Sequence, residues 1–127
     1  MKVESYRAII YNGFVIPLRD NIRTKRFPIV NYLLIAANIL AFVYQFRLSS
    51  SGILDQFIFR YGVVPDFIMQ DPASFYPTLL TSQFLHGGLM HILGNMVFLY
   101  IFGDNVEEKF GHIKYLLFYL LCGIVAG

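Results

Sequence analysis

Phe84-Leu85-His86-Gly87-Gly88-Leu89-Met90-His91-Ile92-Leu93-Gly94-Asn95 decides how this chain is read. The stretch sets two histidines and an asparagine inside an apolar run long enough to lie in a membrane. Ionisable and strongly polar groups are costly at that depth, so by default they mark function and face the protein interior. His91 and Asn95 are four apart and share one helix face, one turn above the other. His86 precedes His91 by five positions and would turn about 140° from that face if the helix were regular that far back. Gly87-Gly88 argues against regularity at that end.

Composition points the same way. Hydrophobic residues make up 57% and charged residues 14% of the 127, against roughly 45–50% and about 25% for ordinary globular chains. The mean hydropathy of +0.58 agrees with a membrane class. With 13 Phe, 9 Tyr and no Trp, any interfacial aromatic belt is built on tyrosine. Cys122 is the single cysteine, so no disulfide framework exists. The net charge is only +2, and the basic residues sit in one block rather than on a nucleic-acid face. The N-terminal residues 1–20 have no continuous apolar core, which excludes a cleavable signal there.

Outward from the decisive stretch, the chain divides into a segment of residues 1–26 and a membrane domain of residues 27–127. Lys2, Arg7, Arg19, Arg23, Lys25 and Arg26 carry six of the ten basic residues ahead of the first span. Helix one is expected at about 29–47, with Pro28 tolerated at its start. Its charge-free core, Ile29 to Phe46, is long enough for one pass at about 27 Å. Asn31, Asn38 and Gln45 recur every seven residues on one face, the pattern of interhelical hydrogen-bonding groups. Ser49-Ser50-Ser51-Gly52 breaks the helix. An outer loop follows at about 48–78, too apolar for a flexible linker and suited to an amphipathic element in the membrane interface. Helix two is expected at about 79–103, then a short polar loop from Gly103 to Lys114. The start of helix three lies at about 113–127, where the apolar run breaks off as if the chain were the front part of a longer multi-pass protein. Positive charge near the membrane sets orientation, so the basic block predicts a cytoplasmic N-terminus.

The polar cluster leaves several chemistries open. Two histidines could ligate a metal, but the carboxylate of a His-Glu-x-x-His motif is missing. Haem ligation by the pair has no other support in the chain. Asn and His side chains also serve as hydrogen-bond donors to a developing oxyanion in acyl transfer. The plain structural alternative is that they tie helices together.

The run from Leu79 to Gly103 strongly resembles the second transmembrane helix of the rhomboid family of intramembrane serine proteases. Asp104-Asn105-Val106-Glu107-Glu108-Lys109-Phe110-Gly111-His112 resembles that family's short loop with its Val-Glu and closing Gly. Arg26-Phe27-Pro28-Ile29-Val30-Asn31-Tyr32 and Tyr61-Gly62-Val63-Val64-Pro65 are similar to the bacterial branch. The resemblance covers most of residues 16–127. It implies an all-α, polytopic membrane helix bundle with a six-helix core, of which the first two transmembrane helices and the start of a third are present. It also implies hydrolysis of a peptide bond in or beside a membrane helix of the substrate, in the cell membrane, with no cofactor and no metal. His91 and Asn95 match the oxyanion-stabilising pair, and His86 a supporting histidine. Glu107 matches an acid that holds the cytoplasmic helix ends together. Arg60 corresponds to an arginine of the first loop, although its usual tryptophan partner is absent here.

The family's Gly-x-Ser-Gly nucleophile on helix four and base histidine on helix six have no match in this sequence. Ser51-Gly52 follows Ser49 rather than Gly and sits in a loop, and His112 falls at the cytoplasmic end. The residues given are therefore expected to be inactive alone, with proteolysis belonging to the full-length product. The alternative is a proteolytically inactive rhomboid-like protein that binds membrane clients.

Overall fold

A computed structural model describes residues 8–11, 14–17, 26–68 and 72–126. The basic residues Arg19, Arg23 and Lys25 lie outside the described residues. Strands β1 (Ala8–Tyr11) and β2 (Phe14–Pro17) form an antiparallel hairpin with Ala8 opposite Pro17 and Tyr11 opposite Phe14. The sequence between the two strands is Asn-Gly, the strongest short hairpin signal. The all-α architecture holds for the membrane domain; the hairpin is an addition in the segment ahead of it.

Helix α1 runs Ile29–Ser50 and is long and apolar enough to cross a bilayer. It ends as its sequence dictates. The Ile53 amide donates to the Leu48 carbonyl and the Gly52 amide to that of Ser49. This Schellman closure needs a left-handed residue, and Gly52 has φ +72. The outer connection is helical in pieces: α2 (Leu54–Tyr61), α3 (Pro65–Ile68) and α4 (Pro72–Thr81). Phe57 fastens α2 to α1, its ring 5.4 Å from that of Tyr44 and 4.8 Å from that of Tyr61. The Thr81 hydroxyl ties α4 back by donating to the Tyr61 carbonyl at 2.6 Å.

The second spanning element departs from its expected bounds. Residues 79–81 belong to α4, and a 3-10 turn follows at Ser82–Phe84. The chain is then non-helical until α5 (Leu89–Phe98). A π-helical segment, Leu99–Gly103, continues directly into α6 (Asp104–Phe110). The span is thus Leu89–Phe110, and most of the expected polar loop from Gly103 to Lys114 is helix. The reversal is confined to Gly111, at φ +79, before α7 (His112–Ala126). Gly87-Gly88 explains the late start, since glycine pairs disfavour helix. The early continuation is explained below by what Glu107 binds.

The interior is polar where the helices cross. Asn31, Asn38, Gln45, His86 and Glu107 are all buried, whereas large apolar side chains such as Leu40, Phe46, Phe98 and Val125 are exposed. This inside-out distribution suits a chain whose solvent is lipid.

Candidate functional site

Asn31, Asn38 and Gln45 each reach a different partner. The Asn31 amide nitrogen donates to the Leu99 carbonyl at 2.9 Å, and its oxygen accepts from the Tyr115 hydroxyl at 2.9 Å. The Leu99 carbonyl opens the π segment, where the change of bond register calls for outside partners. The Asn38 amide nitrogen donates to the Leu34 carbonyl at 2.8 Å and to the Tyr119 hydroxyl at 3.2 Å. Gln45 brackets the backbone of one residue, accepting from the His86 N–H at 3.0 Å and donating to the His86 carbonyl at 3.4 Å. The seven-residue spacing is therefore a ladder of interhelical hydrogen bonds.

The polar end of the bundle is closed by Glu107. Its two carboxylate oxygens accept the backbone N–H groups of Val30 at 2.9 Å and Asn31 at 2.8 Å. Helix α1 has Pro28 at its N-cap and no side-chain cap of its own. A carboxylate from 77 residues later supplies it, next to the positive end of the helix dipole. The His112 Nδ1 also pairs with Glu107. Because this acid must reach α1, residues 104–110 stay on the helix instead of forming a loop.

At the other end, the break before α5 removes the expected 140° offset of His86. The loop turns His86 back so that Nε2 lies 3.2 Å from the Asn95 amide nitrogen. Its Nδ1 lies 3.2 Å from the Phe84 carbonyl oxygen. A carbonyl only accepts, so Nδ1 carries the proton, Nε2 accepts from Asn95, and the ring is neutral. The Asn95 nitrogen keeps a second hydrogen for another acceptor. The His91 ring sits beside His86, with centroids 5.3 Å apart and planes at 63°. Phe42 meets the His86 ring edge-on at 6.5 Å.

His86, His91 and Asn95 line a cavity of about 700 Å³, shared with Asn38, Gln83 and Tyr119. His86 is buried, whereas His91 and Asn95 are exposed toward this space. Asn38 Oδ1 and Gln83 Oε1 are buried acceptors without a hydrogen-bond partner among the described residues. No third His, Cys, Asp or Glu joins the histidine pair among the described residues. The site can therefore present two or more N–H donors to an oxygen placed in the cavity. Arg60 lies outside it, exposed, with its guanidinium 5.9 Å from the Tyr61 ring centre.

Gln83 gained its place only from the structure, as did the partners of Gln45 and Glu107, which the sequence marks as an interhelical hydrogen-bonding group and as an acid joining helix ends. One signal was available for the cap: a helix opening on Phe27-Pro28 has no local capping side chain, so a distant one must serve.

The Rhomboid domain family model matches residues 74–127. RHOMBOID-like protein 6, mitochondrial, of Arabidopsis thaliana is 42% identical over 45 residues, which is 35% of this chain and 15% of the relative. RHOMBOID-like protein 4 of the same plant is 44% identical over 45 residues, or 35% of this chain and 11% of the relative. Protein pdh1 of Schizosaccharomyces pombe is 27% identical over 95 residues, covering 75% of this chain and 40% of the relative. The chain thus spans less than half the length of the curated relatives it matches. No solved structure matches it significantly. The motif at residues 84–95 lies inside the matched segment, and over that segment the chain is similar to the rhomboid family.

Proposed function

We propose that this chain supplies the oxyanion-stabilising side of an intramembrane serine endopeptidase that cleaves transmembrane segments of other proteins. The observation that carries the proposal is the Asn95 amide, held by His86 beside His91 at the edge of an open cavity. Charge developing on a peptide carbonyl within a membrane has little else to stabilise it, and fixed N–H donors there are worth more than in water. Asn95 and His91 would each give one donor, while His86 holds Asn95. The attacking serine and the base histidine belong to the full-length product. In this reading the protein sits in the cell membrane with its N-terminus in the cytoplasm, an orientation supported by the basic residues ahead of α1, and the cavity opens toward the other side. The similarity to the bacterial branch noted above belongs to the same proposal. The partners are the lipid bilayer and transmembrane substrates.

The test is cleavage of a reporter transmembrane substrate by the full-length protein in detergent or liposomes. Asn95→Ala is expected to lower kcat by about 10²–10³, or about 2.7–4 kcal/mol, the usual cost of one oxyanion donor. Unchanged turnover in Asn95→Ala would overturn the assignment. A wild-type protein that retains clients without cutting them would favour the inactive rhomboid-like binder.

A further inference from the structure

We infer that Gln45 is a positioning residue for Asn95, acting through the backbone and ring of His86; its catalytic meaning rests on the proposed proteolysis. His86 lies in the non-helical stretch between the 3-10 turn and α5. Its N–H and carbonyl therefore lack the intrahelical partners that fix a helical residue. Gln45 supplies both, accepting at 3.0 Å and donating at 3.4 Å with a side chain that is 95% buried. One planar amide thus holds one residue at two points, as a neighbouring strand would.

The rest of the relay follows from the ring. With its backbone fixed, His86 has one nitrogen on the Phe84 carbonyl and the other facing Asn95. That arrangement selects the Nδ1–H tautomer, and only this tautomer accepts from the Asn95 amide. The accepted bond fixes the plane of the amide and so the direction of its second N–H. Asn31 and Asn38, the other rungs of the ladder, grip helix and tyrosine groups and have no such path to Asn95.

Two measurements on the full-length protein in detergent test this. The first is the 15N spectrum of the histidine imidazoles, which reports the tautomer whether or not any substrate is cut. Gln45→Leu is expected to turn the His86 signals from a single Nδ1–H tautomer into a mixture, leaving His112 unchanged as a control for folding. Gln45→Glu keeps the acceptor but cannot donate as a carboxylate, and is expected to shift His86 less. If Gln45→Leu disturbs His112 as well, it has misfolded, and Gln45→Glu decides. His86 signals identical to wild type in either folded variant would overturn the inference.

The second measurement is turnover. Gln45→Leu, or Gln45→Glu in its place, is expected to lower kcat by roughly tenfold with little change in KM, because a misaimed donor costs less than a missing one. A change confined to KM in a folded variant would overturn the inference. A wild-type protein that cuts nothing while the His86 signals still respond to Gln45 would sink the proteolytic reading and leave the relay standing.

Discussion

Replacing Gly103 by alanine tests how closely helix α1 and the π segment must approach. A Cβ built at Gly103 would lie 2.1 Å from Asn31 Oδ1, 2.5 Å from its Cγ and 2.8 Å from its Nδ2. None of these atoms can yield easily. Asn31 is 1% exposed, and its amide is tied to the Leu99 carbonyl and the Tyr115 hydroxyl. Moving it breaks two hydrogen bonds that average about 0.6 kcal/mol each between membrane helices and reach about 1.7. Forcing extra volume into a packed site adds about 1–3 kcal/mol. Helix propensity returns up to about 1 kcal/mol, since alanine is the better helix former. The net loss is about 1–5 kcal/mol.

The assay is unfolding in mixed micelles with rising SDS, followed by circular dichroism, on the full-length protein. Gly94→Ala is the internal control, because a Cβ there meets nothing within 4 Å; it is expected to be neutral or slightly stabilising. The mechanism also predicts coupling. In an Asn31→Ala background the obstructing atoms are gone, so Gly103→Ala should lose most of its penalty, giving a non-additive cycle. Gly103→Ala as stable as wild type, or an equal penalty in both backgrounds, would refute the reasoning.

Two further substitutions probe the same packing. Glu107→Gln keeps the volume but turns an N–H donor toward one of the two amides of α1 and removes the charge at the helix N-terminus; a loss of about 1–3 kcal/mol is expected in the same titration. Hydrogen exchange at Val30 and Asn31 should rise with it, and unchanged protection there would argue against the cap. Gly123→Ala places a Cβ 2.1 Å from the Gln83 Cδ and Oε1 and 2.6 Å from its Cγ, and the Gln83 amide is itself held by the Leu79 and Leu120 carbonyls at 2.9 and 3.1 Å. It should therefore cost about 1–3 kcal/mol, the range for overpacking; stability equal to wild type would argue against this contact.

The sequence revealed the polar face of α1 because a seven-residue repeat nearly matches two helical turns, whatever lies opposite. It revealed the His91–Asn95 pair for the same reason. It did not reveal partners, because these depend on tertiary placement. Nothing in the spacing of Gln45 and His86 says that a side-chain amide will meet a backbone 41 residues on. Periodicity also failed where the chain leaves regular geometry: the break at residues 85–88, the π segment at Leu99–Gly103 and the glycine reversal at Gly111. The pairing of Ala8–Tyr11 with Phe14–Pro17 carries its signal in Asn12-Gly13, a cue that apolar-run length does not register.

These irregular places are where the site is made. A straight helix from 79 to 103 would put His86 about 140° away from His91 and about 180° away from Asn95. The break allows His86 to fold back, at the expense of leaving its backbone without helical partners, and Gln45 answers that need. The π segment likewise calls for a donor at Leu99, and Asn31 supplies it. Asn31 and Gln45 are 14 positions apart, about 21 Å along α1. Helix α1 therefore grips the second span at its π segment and at the loop that leads into it, each time at a break in helical geometry. The grip at Asn31 and Glu107 fixes the polar end, and the grip at Gln45 fixes the loop that aims Asn95. Loosening the first should lower stability throughout, whereas loosening the second should act mainly on His86 and Asn95.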